Sequence, residues 1–413
     1  MKKPRYLTPF ALSVCAILLG IALGLAEPAL ATEMKPLGDA FIRVIKWLVG
    51  PIVFFTVAAG FAALGNLRQV GRVGFKAFVY FELLSTLALV AGLAAAHVLQ
   101  PGMGFQADPA FFLADGQASE RALREAARYG DRGLPDTLAD AFMKSSILQV
   151  LVLAILCGTV LALLGERARG AVMWCERISA WMFRLVNIVL VAAPVAAFGA
   201  IAFTVGKFGI ASVAPLLTFL AAVYGTSIAF VILALGAVAR LSGFRLMSFV
   251  RYIKEELALV FATSSSVTAM PSLIEKLERA GCSKAAAAMV VPAGYSFNLN
   301  GSNIYLGMAM VFLAQALQVD LGTEHYLTIL VVAMITSKGA SGVAGSAFLA
   351  LAATLSAVPA IPVSSLMLIV GIERMLKCRS LTNIIGNGVA CLAVCAWDGK
   401  LDRTKLRESG LGR

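Results

Sequence analysis

Long apolar runs constrain this chain more than any motif does. They fall near Phe10 to Ala26, Phe41 to Leu64, Ala77 to Leu99, Ile147 to Leu164, Ile178 to Val205, Val213 to Ala239 and Ala285 to Leu317. Each is long enough, as a helix, to cross roughly 30 Å of hydrocarbon. Lipid offers the backbone no hydrogen-bond partners, so only helices or closed barrels can span it, and the ten-residue alternation of a barrel is absent here. The expectation is an all-α integral membrane protein. Composition agrees, with 60% hydrophobic and 14% charged residues against roughly 45–50% and 25% in soluble domains.

The formal net charge of +12 raises nucleic acid as a partner, but the basic residues are dispersed as a topology rule would place them. Lys2, Lys3 and Arg5; Arg68, Arg72 and Lys76; Arg167, Arg169 and Arg177; Arg240, Arg245, Arg251 and Lys254; and Lys400 to Arg413 fall on alternate connections. The bias of Lys and Arg toward inside loops reads these as cytoplasmic, with both termini inside, and no nucleic acid is expected as a partner. Glu27 to Asp39, Pro101 to Asp140 and Gly206 to Gly209 fall outside. Lys2 to Arg5 followed by an apolar run and Ala29-Leu-Ala31 mimics a secretory signal. Glu27-Pro28 interrupts that run, and the loop count works only if the segment stays as the first span.

Seven cysteines stand at 15, 157, 175, 282, 378, 391 and 395, with no Cys-x-x-Cys and only two histidines, His97 and His325. Small buried hydrophobes are the expected role, including for Cys391 and Cys395 one helical turn apart.

The interruptions of hydropathy carry the functional signal. Ser296-Phe-Asn-Leu-Asn-Gly-Ser-Asn-Ile-Tyr305 places polar side chains inside an apolar segment, where they are expensive and mark a binding site. Asn383-x-x-Gly386 repeats the pattern of Asn298-x-x-Gly301, as a duplicated half would. From Leu257 to Ile274, two arms too short to span flank Thr263-Ser-Ser-Ser266, and from Leu327 to Val358 two arms flank Ser337 to Ser346. Re-entrant hairpins explain both, since irregular backbone at membrane depth is tolerated only when protein-buried or lining a cavity. In Ile361 to Trp397, Arg379, Asn383 and Asn387 recur at i, i+4 and i+8 as one polar stripe, and Glu373 and Lys377 are spaced to pair at i, i+4.

These elements suit an anionic ligand. Half-helix termini and exposed backbone amides attract carboxylates, and the Arg379 fork can grip one of them. Freed carbonyls with Asn or Ser oxygens suit a hard cation such as Na⁺.

At these residues the chain resembles the dicarboxylate/amino acid:cation symporter family, the glutamate-transporter fold, and within it the bacterial aerobic C4-dicarboxylate transporters. The likeness rests on Met34-Lys-Pro-Leu-Gly-Asp39, Tyr80-Phe-Glu-Leu-Leu-Ser-Thr86, Ile147-Leu-Gln-Val150, Thr263-Ser-Ser-Ser266, Gly294-Tyr-Ser-Phe-Asn-Leu-Asn-Gly301, Thr336-Ser-Lys-Gly339, Ala352-Ala-Thr-Leu-Ser-Ala357 and Leu381-Thr-Asn-Ile-Ile-Gly-Asn-Gly388. The resemblance implies eight transmembrane helices plus two re-entrant helical hairpins arranged as inverted repeats, with archaeal members among the known inverted-repeat examples. It also implies a homotrimer, and a transport domain that slides like an elevator against a scaffold in the bacterial inner membrane.

On that pattern residues 1–76 carry scaffold helices one and two, 77–100 the third helix, and 101–142 an extracytoplasmic loop. Residues 143–212 carry scaffold helices four and five, 213–398 helix six through helix eight with both hairpins, and 399–413 a cytoplasmic tail. By the same resemblance, Ser264, Ser265 and Ser266 form the first hairpin tip, and Gly342, Val343 and Gly345 the second. Arg379, Ser380, Asn383 and Ser302 contact substrate, while Ser85, Thr86, Asn298, Asn300, Asn383 and Asn387 fall at cation-ligand positions.

The chain departs from the family where charge matters. Asn300 and Asn387 stand where sodium-coupled amino acid members carry aspartates, and Ser302 replaces a threonine; neutral amides should hold Na⁺ more weakly. The segment Glu373 to Asn383 is one residue short, and Ala344 replaces a proline or threonine. In the region upstream of Arg379, where amino acid members use an acid to meet the substrate ammonium, this chain offers Lys377. Succinate, fumarate or malate is therefore expected, with co-transported H⁺ or a weakened Na⁺ requirement and no bound cofactor. Glu82 and Glu373 are the candidate proton carriers. A Na⁺-coupled glutamate/aspartate transporter and an anion channel or exchanger are the alternatives. Enzyme activity is not expected, because Ser264 to Ser266 have no histidine or Lys/Asp partner at a recognisable spacing.

Overall fold

Two apolar stretches that read as single runs are each divided into two helices, one beside a proline and one at an asparagine. The structure is a computed structural model and describes residues 9–69, 71–105, 147–339 and 345–412. The apolar stretch from Ile178 divides at Ala192 into helices Arg169–Val191 and Ala193–Phe208. Pro194 lies in the first turn of the second helix, where a missing N–H costs nothing, but its ring cannot continue the first. The stretch from Ala285 to Leu317 likewise divides into Lys284–Phe297 and Asn300–Ala316, with Asn298 and Leu299 outside helical geometry. A π-helical segment, Val231–Leu235, interrupts the run beginning at Val213.

The described residues are helical, with one isolated antiparallel bridge, Phe244 to Gly412. Among the described residues, five stretches are long and apolar enough to cross a membrane: Pro28–Ala62, Arg72–Leu99, Val150–Val191, Ile210–Leu241 and Glu373–Trp397. Shorter apolar helices cover Phe10–Ala26, Ala193–Phe208 and Ser346–Ser356. The helix Ile147–Leu164 exposes Val152, Leu156, Val160 and Leu163, an apolar stripe that in a membrane protein faces lipid. By contrast, the helix Asn300–Ala316 is buried on nearly every side and forms the centre of the bundle.

That central helix crosses Arg72–Leu99 closely, because Gly92 lies against the Ile304 carbonyl and Gly307 against Leu89 and Leu93. Small residues are what permit such backbone approach between membrane helices. Helices Pro9–Ala26, Lys35–Gln69, Ile147–Leu164, Arg169–Val191 and Ala193–Phe208 pack chiefly among themselves. Arg72–Leu99, Lys284–Phe297, Asn300–Ala316 and Cys378–Trp397 form a second group. At the end of the second group, Lys76 donates to the Asp398 carboxylate at 2.8 Å and to the Trp397 carbonyl at 2.9 Å. Hydrogen bonds from Lys400 and Lys76 pull the Asp398 pKa down to about 2.

Both short-armed segments fold back on themselves. Lys254–Thr263 and Met270–Arg279 flank the first serine cluster, and their outer ends are tied by Lys276 to Glu256 at 2.7 Å and by Tyr252 Oη to the Lys276 carbonyl at 3.0 Å. Thr323–Gly339 and Ser346–Ser356 flank the second break, with the Thr336 and Thr354 hydroxyls 3.0 Å apart.

Candidate functional site

The Leu376 backbone leaves helical geometry (φ −78°, ψ 50°) between a 3₁₀ turn at Glu373–Met375 and the helix Cys378–Trp397. Glu373 and Lys377 therefore do not share a helical face, and their expected i, i+4 pairing is corrected. Glu373 instead accepts from Arg379 Nη2 at 2.7 Å and from the Tyr305 hydroxyl at 2.8 Å. Lys377 Nζ donates to the Phe261 carbonyl at 2.8 Å and lies 4.5 and 4.6 Å from the Phe261 and Phe10 ring centroids.

This turn opens one wall of a partly open pocket of about 30 Å³, lined by Leu190, Ser264, Gly345, Glu373, Arg374, Leu376, Lys377, Arg379 and Ser380. Both chain breaks reach it. Ser264 takes the left-handed conformation (φ 55°) that ends the helix Lys254–Thr263, and its carbonyl accepts from Ser380 Oγ at 3.0 Å. Gly345 (φ 83°) begins the helix Ser346–Ser356 from a backbone region that disfavours a side chain. Ser265 is half-buried and Ser266 buried, and neither lines the cavity. Gly342, Val343 and Ala344 lie outside the described residues.

Arg379 dominates the cavity electrostatically. Its Nε donates to the Leu376 carbonyl at 3.1 Å, and its guanidinium stacks 4.3 Å from the Tyr305 ring centroid. Nη1 is buried without a hydrogen-bond partner among the described residues, so its two N–H donors are left available to a ligand. Arg374, Lys377 and Arg379 against Glu373 leave two positive charges unbalanced in the lining. A doubly charged anion complements that arrangement.

One and two turns further along the same helix lies a buried amide cluster. Asn383 Oδ1 accepts from the Gly301 and Ser302 amides at 2.8 and 3.4 Å, while its Nδ2 donates to Ser302 Oγ at 3.1 Å. Asn298 Nδ2 donates to Asn387 Oδ1 at 3.1 Å. The Oδ1 atoms of Asn298, Asn300 and Asn303 are buried and accept no hydrogen bond from the described residues. Such neutral oxygens fit a hard cation and leave its charge uncompensated by the protein.

Ser85 Oγ donates to the Phe297 carbonyl at 2.8 Å, whereas Thr86 faces Met334 Sδ at 3.8 Å. Glu82 pairs with Lys338 at 2.8 Å, and Lys338 also donates to the Phe297 carbonyl at 3.2 Å. A tethered ammonium thus already occupies one carbonyl at the helix break.

Sequence reasoning assigned no role to four participants: Asn303, Tyr305, Arg374 and Leu190. Asn303 and Tyr305 lie in the polar stretch Ser296 to Tyr305, which points to them. Arg374 is held by the Leu190 carbonyl at 2.7 Å, a contact across 184 residues that no local pattern encodes.

Fold and site together define a multi-pass helical membrane protein with a positively charged pocket where its two chain breaks meet. The chain belongs to the sodium:dicarboxylate symporter family, whose sequence profile matches residues 10–397. It is 51% identical over 412 residues to a C4-dicarboxylate transport protein of Burkholderia multivorans, covering 99% of this chain and 96% of that protein. A C4-dicarboxylate transport protein of Burkholderia pseudomallei is 52% identical over 411 residues, covering 98% and 96% respectively. These relatives are transport proteins rather than enzymes.

Proposed function

We propose that this protein is a secondary active symporter that imports C4-dicarboxylates, succinate, fumarate or malate, across the bacterial inner membrane. The observation that carries the reading is the cavity where Ser264, Gly345 and Arg379 meet, with two unbalanced positive charges and a buried, unpartnered Arg379 Nη1. The shared description of the relatives points to the same substrate class. Lys377 supports a second carboxylate over an ammonium, because its charge adds to the positive potential even while its Nζ is tied to Phe261.

The proposed architecture is eight transmembrane helices and two re-entrant hairpins, assembled as a homotrimer with both termini cytoplasmic. The two packing groups of helices suit a scaffold and a transport domain moving as an elevator. A dianion entering an inside-negative cell is opposed by about 2.3 kcal/mol per charge per 100 mV, so accumulation driven by the potential needs more than two co-transported positive charges. Protons, or Na⁺ held weakly by Asn298, Asn300 and Asn303, would supply them. Lys338 supports a reduced Na⁺ requirement by placing a fixed cation on the Phe297 carbonyl.

Uptake of labelled succinate, fumarate, malate, aspartate and glutamate into proteoliposomes, under separately imposed Na⁺ and pH gradients, tests the reading. Saturable succinate uptake with counterflow is expected. A preference for aspartate would replace the dicarboxylate assignment, and currents without saturation or counterflow would make the protein a channel. Uptake abolished by replacing Na⁺ with choline, yet indifferent to a proton uncoupler, would reject the proton route.

A further inference from the structure

Three cysteines that sequence spacing scatters across 113 residues come together in the fold. Cys282, Cys391 and Cys395 are free and buried, at 5%, 0% and 1% exposure, and their Sγ atoms all lie within 4.8 Å of one another. Small-hydrophobe packing explains one buried thiol or an i, i+4 pair. It gives no reason for a third sulfur to arrive from a different segment and close a triangle.

The backbone holds both sides of that triangle in place. Cys282 sits in the turn between Met270–Arg279 and Lys284–Phe297, where its N–H donates to the Leu277 carbonyl at 3.0 Å and the Gly281 carbonyl accepts from Asp402 N at 2.9 Å. Cys391 and Cys395 stand one turn apart on Cys378–Trp397, and the Cys395 carbonyl accepts from Lys400 N at 2.9 Å. Asp398, clasped by Lys76 and Lys400 at 2.8 Å each, fixes the end of that helix.

We propose that Cys282, Cys391 and Cys395 form a three-thiolate site for a thiophilic d¹⁰ metal ion, Cu(I) or Zn(II). Thiolates are the ligands that select such ions. Metal–sulfur bonds of about 2.3 Å place the sulfurs of a trigonal centre about 4.0 Å apart, a spacing compatible with three sulfurs that all lie within 4.8 Å of one another. No fourth His, Cys, Asp or Glu joins the group among the described residues. Cu(I) would therefore be complete at three sulfurs, whereas Zn(II) would take a water as its fourth ligand. Binding releases the thiol protons to solvent, so affinity rises with pH.

The location gives the site a consequence. Arg379, Asn383, Asn387, Cys391 and Cys395 fall at successive four-residue steps on one helix. A bound ion would staple the far end of the helix that carries the anion and amide sites to the turn at Cys282. The proposal uses none of the cavity residues, so its failure would leave the transport reading untouched.

The test uses the full-length protein, purified in detergent under anaerobic, reducing conditions and stripped of metal. Cu(I) is titrated against bathocuproine disulfonate in one arm and Zn(II) against a chromophoric chelator in the other. One ion per chain is expected in at least one arm, lost in Cys282→Ser and Cys391→Ser, and kept when Cys15, Cys157 and Cys175 are all replaced by Ala. X-ray absorption of the loaded wild-type protein should show three sulfur neighbours, which decides the matter even if a cysteine variant fails to fold. Wild-type protein that binds neither ion, variants that bind as well as wild type, or thiol counting that finds a disulfide among the three would each overturn the proposal.

Discussion

Arg379→Lys isolates the fork from the charge. In the wild-type site Nη2 is committed to Glu373 at 2.7 Å and Nε to the Leu376 carbonyl at 3.1 Å, while Nη1 is buried and unpartnered. A substrate carboxylate that engages Nη1 gains a charge-assisted hydrogen bond worth about 1.5–3 kcal/mol. Lysine keeps one positive charge beside Glu373, so the variant does not leave that buried carboxylate without a cation and should still fold. An ammonium has no planar fork with which to serve both Glu373 and substrate in fixed geometry. Succinate half-saturation should therefore rise by roughly 10- to 150-fold. The assay is proteoliposome uptake of labelled succinate, with competition by unlabelled succinate and by its monomethyl ester. Wild-type protein should prefer the diacid strongly, and Arg379→Lys should lose much of that preference. A half-saturation within about threefold of wild type, less than 1 kcal/mol, would refute the reasoning. So would an equal loss of affinity for the diacid and the monoester, since the fork would then not be reading the second carboxylate.

Asn300→Asp adds a negative charge beside the two remaining amide oxygens, of Asn298 and Asn303, that accept no hydrogen bond from the described residues. At about 4 Å and an effective dielectric near 20 the attraction to a monovalent cation is about 4 kcal/mol before desolvation, so Na⁺ half-saturation of uptake at fixed pH should fall at least about tenfold. Gly301→Ala should lower thermal stability by about 1–3 kcal/mol and abolish uptake, because the new methyl meets the Arg379 carbonyl and Cα, backbone atoms that cannot step aside. Asp398 has its pKa depressed to about 2, so its contribution to stability is full above the ordinary carboxylate value and is lost as pH falls through about 4 toward 2. Thermal midpoints should accordingly be insensitive to this group between about pH 5 and 8, and Asp398→Asn should remove part of the acid-side decline while lowering the midpoint at neutral pH.

Much of the fold is legible because lipid enforces it. A helix must be about 20 apolar residues long to cross, and the runs near Phe10, Ala77 and Ile147 match helices beginning at Pro9, Arg72 and Ile147. Length alone misplaces the breaks: hydropathy does not register Pro194, and the polar stretch Ser296 to Tyr305 interrupts an apolar run without showing that the helix unwinds at Asn298 and Leu299. The polar stripe of Arg379, Asn383 and Asn387 was readable because helical period is local. The Glu373–Lys377 pairing failed for the converse reason: a 3₁₀ turn and a non-helical Leu376 reset the phase just before the helix, and no residue there announces it. Contacts between distant segments, such as Arg374 to Leu190 and Cys282 to Cys391 and Cys395, depend on how helices cross. Periodicity within one helix contains no information about that.

The absence of acidic side chains from the amide cluster changes what can bind first. Asn387 lies eight residues from Arg379 on one helix, about 12 Å along its axis, with Asn383 and the Gly301 and Ser302 amides between them. A cation held by the Asn298, Asn300 and Asn303 oxygens and a carboxylate on Arg379 would then be on the order of 12 Å apart. At an effective dielectric near 20 their attraction is about 1.4 kcal/mol, roughly a 10-fold mutual gain in affinity. In this arrangement the substrate itself supplies the negative charge that aspartates at 300 and 387 would otherwise provide. Linkage makes the effect reciprocal: saturating succinate should lower the half-saturation for the coupling cation by the same factor by which that cation lowers the half-saturation for succinate. Equilibrium binding of each ligand, measured by calorimetry with and without the other, reads both factors. Two unequal factors would mean the measurements are not at equilibrium, and two factors of one would mean that cation and carboxylate do not occupy neighbouring sites on this helix.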